Sequence, residues 1–295
     1  MTEIEFIRKC DADFSERLCL VADEVGKSFS SNGSVKIISL SGPTCSGKTT
    51  AAGLLAERLD TYGISVLTVS IDDFYYDRDY LQKLSRYKGA EKIDYDSVDT
   101  IDLCALKKFI VEIWATGRAE CPVFDFKSGA RRGTKTLTID KSTVLLFEGI
   151  QAIYPEIRAL LGGFGFVSIY ICPQTPINEG GEVFLPDEIR LLRRLVRDSN
   201  FRGADAEFTF QLWDSVRRNE DLNIFPYAHA CDFRIDSTHA YEIRVLKPYL
   251  ERLLTSVSAE SEYKADAQKI LAKIEGVPTI DSSLIPENSL YKEFV

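Results

Sequence analysis

Gly42, Gly47, Lys48 and Thr49 stand in the stretch SGPTCSGKTT (41–50) at the spacing G-x-x-x-x-G-K-[ST]. Glycines at those two places let the backbone curl so that successive N–H groups converge, and a helix opening at Lys48 adds the partial positive charge of its N-terminus. A lysine neutralises phosphate oxygens, and a neighbouring threonine hydroxyl can ligate Mg²⁺. This set suits the holding of the β- and γ-phosphates of a nucleotide, in a seat lined by Gly42, Thr44, Cys45, Ser46, Gly47, Lys48, Thr49 and Thr50. Cys45 reads as a small side chain that fits the loop, with a redox role as the alternative.

Three further groups bear on what is done with the phosphate. The apolar run VLLF ends at Glu148, a carboxylate suited to sit near Mg²⁺ at the carboxyl edge of a sheet. The segment SIDDFYY puts Asp72 and Asp73 at the end of a strand next to the phosphate loop, where one of them can take the proton of an attacking hydroxyl. In IRLLRRLVRD, at ~100° per residue, Arg190, Arg193, Arg194 and Arg197 share an arc of roughly 100° opposite Leu191, Leu192, Leu195 and Val196. That face suits an anion such as the phosphoryl group in transfer, or else a solvated surface paired with acids such as Asp187, Glu188 and Asp198. There is no N-K-x-D segment for reading guanine, and Glu148-Gly149 stands where a motor protein usually ends its strand in Asp or Asp-Glu.

The elements that must position these groups alternate. VKIISLS (35–41) is a β-rich run, GKTTAAGLLAERLDTYG (47–63) a helix ending at a glycine, and ISVLTVSI (64–71) a second buried strand. After a polar stretch to about residue 100 come the helix DLCALKKFIVEIWATG, a β-like TKTLTI, and the strands STVLLFEGI and FGFVSIYI. Beyond residue 185 helices dominate, with one short strand, ACDFRID, and a further helix at 15–30 near the N-terminus. The pattern predicts an α/β fold with a mostly parallel sheet flanked by helices, a P-loop NTPase architecture. Its expected division is a helical extension over 1–33, a P-loop domain over 34–258 with a helical segment near 185–220, and a C-terminal helix and irregular tail over 259–295.

Composition narrows the partners. With 36 Lys plus Arg against 45 Asp plus Glu, the net charge of −9 argues against nucleic-acid and membrane-surface partners and for a small molecule. Seven scattered cysteines without a CxxC pair fit a reducing, cytoplasmic setting, and two histidines exclude a multi-histidine metal centre. Self-association is left open.

Taken together, GPTCSGKT, IDDFY, YDSVDTID, CPVFDF, LLFEGI and RLLRRLVRD…RG, in this order and spacing over about residues 35 to 255, resemble the uridine–cytidine kinase branch of the phosphoribulokinase/uridine kinase family. The stretch FRGADAEFTFQLWDSVRRNEDLNIFPY and the ending IPENSLYKEFV are similar to bacterial uridine-kinase-like proteins, in which this module often follows a tRNA-synthetase-like domain without counterpart here. The resemblance implies ATP- and Mg²⁺-dependent phosphorylation of a nucleoside 5′-hydroxyl, uridine or cytidine first. It implies Asp72 as general base, Lys48 as phosphate clamp, Thr49 and Glu148 on Mg²⁺, and Asp96 on the ribose with Tyr95 and Tyr75 beside it. Phe124 and Phe126 would line the base pocket, and Arg190, Arg193, Arg194, Arg197 and Arg202 would belong to the lid, Arg193 and Arg197 acting in catalysis. The sequence departs from the family at Phe124, where a tyrosine is usual, at Gly129, where a base-contacting histidine falls, and at DSV in place of DHP. Another hydroxylated acceptor, or a nucleotide-binding regulatory module, stand as alternatives.

Overall fold

The computed structural model describes residues 1–32, 35–89, 93–95 and 97–295. A 30-residue helix, α1 (Glu3–Asn32), precedes strand β1 (Ile37–Ser41), whose five residues are all buried. Then follow α2 (Lys48–Asp60), β2 (Ser65–Ser70), α3 (Arg78–Tyr87), α4 (Leu103–Thr116), the hairpin strands β3 (Arg118–Asp125) and β4 (Ala130–Thr138), and β5 (Thr143–Glu148). The second half runs α5 (Pro155–Leu161), β6 (Phe166–Cys172), a small ribbon of β7 (Ile177–Glu179) and β8 (Glu182–Phe184), α6 (Pro186–Arg202), α7 (Ala206–Asn223) and α8 (Phe225–Ala228). It closes with β9 (Phe233–Asp236), α9 (Glu242–Thr255) and α10 (Lys264–Ile274). The polar stretch before residue 100 thus holds a helix, α3, and the hairpin gains β3 where Pro122 interrupts the strand-like pattern.

The five-stranded sheet has the order β2-β5-β1-β6-β9 and is parallel throughout. Alternation along β1 and β5 sends Ile38 and Leu146 to the side of α1, α2, α6 and α9, and Ile37, Leu145 and Phe147 to the side of α4 and α5. In this order β5 lies between β1 and β2, although the two are consecutive in sequence. Since Glu148 pairs in register with both Leu40 and Ser70, all three strands still end at the same edge.

Neither end of the chain stands apart from this core. Phe14, Leu18 and Val25 of α1 belong to the same apolar cluster as Leu55 of α2, and so do Leu290, Tyr291 and Phe294 of the tail. Among the described residues no helix is long and apolar enough to cross a membrane.

A buried ion pair sits in that cluster. Arg193 meets Glu242 through two bonds of 2.7 and 3.0 Å, with both side chains fully buried. Removing one partner leaves the other charge desolvated and alone, so Glu242→Ala should lower unfolding free energy by about 3–5 kcal/mol. Urea unfolding checks this; a loss below about 1 kcal/mol would contradict the described burial.

Candidate active site

The phosphate-loop motif lies where β1 hands over to α2. Gly42 is tightly enclosed: a Cβ there would come within 2.1 Å of the Ile171 carbonyl. Gly47, the residue before the helix, has φ +91°, and a Cβ there would meet Leu290 at 2.1 Å. Cys45, with φ 59°, is the one non-glycine residue with positive φ among the described residues, a strain that persists only where surroundings impose it. Its carbonyl accepts a bond of 3.2 Å from Arg193 Nη1.

The loop leaves donors for an anion. Ser46 Oγ is buried with no hydrogen-bond partner. Lys48 Nζ reaches back to the carbonyls of Gly42 and Pro43 at 3.0 and 3.1 Å, which holds the ammonium across the loop mouth. Thr49 is exposed at the start of α2. These groups fit a phosphate chain, and Thr49 with Glu148, at the adjacent strand end, offers the hard oxygen donors that Mg²⁺ takes.

Beyond β2, residues 71–74 form a single 3₁₀ turn whose entry is capped by Ser70, with its hydroxyl accepting from the Asp72 amide. The two acids of this turn are not equivalent. Asp73 accepts from the Phe124 amide at 3.2 Å and pairs with Lys135 at 2.8 Å, which fastens the β3–β4 hairpin to the sheet edge. Asp72 takes part in neither contact and remains half-buried at that edge.

The hairpin brings aromatic rings to the same side. Tyr75 lies 5.5 Å from Phe124 and 6.3 Å from Phe126, and the two phenylalanines are 5.3 Å apart between centroids. Tyr75 is further held by its hydroxyl, which donates to the Tyr95 carbonyl and accepts from Gln151 Nε2. Gln151, fully buried, also donates to Tyr95 O, so it locks the two tyrosine segments together. Phe126 and Tyr95 are exposed. The space a side chain at position 129 would take is filled by the Arg78 guanidinium, 2.7 Å from an ideal Cβ. Asp96 lies outside the described residues.

The arginines of α6 correct the expectation of an open cationic face. The helix is packed between α7 and α9, so the face that periodicity assigns to solvent or ligand is largely interior. Arg190 pairs with Glu220 of α7 at 2.5 and 2.6 Å, and Arg193 with Glu242 of α9, every one of these side chains buried. Of the acids that the solvated-surface reading offered, Asp187 and Glu188 pair with neither of these arginines, whereas Asp198 does hold others of the stripe. Arg194, Arg197 and Arg202 all converge on Asp198, the third weakly at 3.5 Å, leaving that cluster with an excess of positive charge. Only Arg202 of this set is largely exposed.

Sequence reasoning missed Gln151, Arg78 and the tail residues Leu290, Tyr291 and Glu293, all of which touch these groups. Gln151 stands two residues beyond Gly149, between Ile150 and Ala152, and could have been found as a polar residue in an otherwise apolar stretch; the others act across long sequence separations.

Comparison with known proteins gives a match of residues 37–243 to the profile described as the Phosphoribulokinase / Uridine kinase family. A uridine kinase of Schizosaccharomyces pombe is 30% identical over 172 residues, covering 58% of this chain and 33% of the relative. A uridine kinase of Ureaplasma urealyticum is 27% identical over 180 residues, covering 61% of this chain and 77% of the relative. The chain therefore spans a third of the first relative's length and about three quarters of the second's. Among solved structures, a D-glycerate 3-kinase from Cryptococcus neoformans superposes with a TM-score of 0.51 at 18% identity, covering 71% of this chain and 88% of the other, a likeness of fold.

The division of labour between the two acids is testable. Asp73→Ala unhooks the hairpin and strands Lys135 and the Phe124 amide, so stability should fall by about 1–3 kcal/mol and hydrogen exchange at the Phe124 amide should quicken. Unchanged exchange at that amide would contradict the assignment of Asp73 as the hairpin's anchor.

Proposed function

Because the chain belongs to the phosphoribulokinase/uridine kinase family, whose members are phosphotransferases, we propose that it transfers the γ-phosphate of ATP to the 5′-hydroxyl of a nucleoside, uridine or cytidine first. One observation carries this reading: the phosphate loop, Glu148 and the turn bearing Asp72 all lie where strands end in register at one edge of the sheet. Ligands of open α/β sheets bind beyond that edge.

In this reading the acceptor lies against Tyr75, Phe124 and Phe126, with Asp96 and Tyr95 toward its ribose, and its hydroxyl gives up a proton to Asp72 as it attacks. Lys48 and the amides at the start of α2 hold the phosphates in line with that hydroxyl. Mg²⁺ bound by Thr49 and Glu148 would neutralise charge on the phosphate oxygens. The excess positive charge around Asp198 supports a share for Arg197 and Arg202 in attracting the phosphate chain, whereas Arg190 and Arg193 support the site from within through their ion pairs.

A second acceptor class has its own support. Phe124 offers no hydroxyl, and the space at Gly129 is filled by the cationic group of Arg78, so polar contacts that discriminate strongly among bases are replaced by apolar walls and one cation. Another small hydroxylated acceptor, one carrying an anionic or carbonyl group, fits that change.

The proton acceptor tests the reading. Asp72→Asn should bind ATP as the native protein does, yet lose acceptor-stimulated ADP release by roughly 10²–10⁴-fold. Undiminished acceptor-stimulated release in that variant would contradict it.

A further inference from the structure

The last turn of the chain lies on the phosphate loop. In α2 the Ala51 amide bonds to the Gly47 carbonyl, so the first-turn amides without a helical acceptor are those of Lys48, Thr49 and Thr50. These are the donors with which such a helix grips phosphate. The third of them is taken: the Thr50 amide donates to Glu293 Oε1 at 2.8 Å, and the Thr50 hydroxyl donates to the same oxygen at 2.6 Å. Leu290, three residues earlier, covers Gly47.

We propose that the C-terminal turn is an autoinhibitory strap, in which the Glu293 carboxylate stands in for a nucleotide phosphate at Thr50 and must give way before the nucleotide seats fully. The proposal rests on the reading of the loop as a nucleotide site. Two anions cannot share one amide and one hydroxyl, and the negative field of the carboxylate opposes an incoming phosphate chain even before contact. The strap can release this contact without unfolding. Its anchors are separate: Tyr291 is fully buried, its hydroxyl accepting from Arg193 Nη2 at 2.8 Å, and Phe294 is fully buried with its carbonyl accepting from Asn200. Arg197 lies within electrostatic reach of Glu293, although its guanidinium is already held by Asp198.

Calorimetric titration of the full chain with Mg·ADP tests the strap, using the native protein, Glu293→Gln and Glu293→Ala. Glutamine keeps the shape and an acceptor oxygen while removing the charge, and both variants should bind roughly tenfold or more tightly than the native protein. Hydrogen exchange of residues 290–295 in the native protein should speed up when nucleotide is added. Equal or weaker binding by both variants, or slower exchange of the strap on nucleotide addition, overturns the proposal and makes Glu293 a brace. Absence of Mg·ADP binding in all three proteins overturns it as well, together with the nucleotide reading. Because these readouts need no acceptor, tight binding by the variants alongside a failed search for an acceptor would retain the strap and remove the kinase reading.

Discussion

A phosphate-loop turn spends few of its amides on its own backbone, so its shape has to be held by other groups. Here the buried guanidinium of Arg193 does this. It is fixed by both oxygens of Glu242 and donates to the Cys45 carbonyl at the strained point of the loop. It also donates to the Ser237 carbonyl just after β9 and to the Tyr291 hydroxyl of the tail. One side chain thus ties the loop to α6, α9, the last strand and the C-terminus. A buried ion pair contributes little net stability once desolvation is counted, but it fixes geometry where a hydrophobic contact would allow sliding. Lysine at position 193 could not repeat this, because only the planar fork meets a carboxylate and several carbonyls at once.

The second constraint is the sheet edge. Parallel strands in register deliver three chemically different termini to one line: a glycine-rich loop from β1, a carboxylate from β5 and an acid-bearing turn from β2. The hairpin of β3 and β4, fastened by Asp73, brings aromatic rings to the same edge. Asp72 and Asp73, adjacent in sequence, meet different surroundings because a 3₁₀ turn separates their side chains around its axis. One holds the hairpin, and the other stays at the edge.

What could be read from the sequence was what depends on neighbours in sequence. The phosphate loop is contiguous, and its glycines, lysine and threonines keep their meaning wherever the fold puts them. Helix periodicity identified α6 and its arginine stripe, yet could not say what faces that stripe. The partners, Glu220 and Glu242, lie 30 and 49 residues away and are brought in only by packing of α7 and α9. The order of the strands was likewise hidden, since crossover connections let β5 enter between β1 and β2. The tail read as irregular because its apolar residues follow no period. Leu290, Tyr291 and Phe294 are buried by packing against residues distant in sequence, and nothing local marks Glu293 as a ligand of Thr50.

The central claim is that the edge of this sheet moves a phosphoryl group from a nucleotide to an alcohol. Incubation with ATP labelled in its γ-phosphate, Mg²⁺ and a panel of nucleosides and small hydroxylated molecules tests it most directly. Label should appear as a phosphomonoester on one of these acceptors, with a nucleoside 5′-hydroxyl favoured. Label recovered only as unreacted ATP or inorganic phosphate, whatever the acceptor, would contradict it.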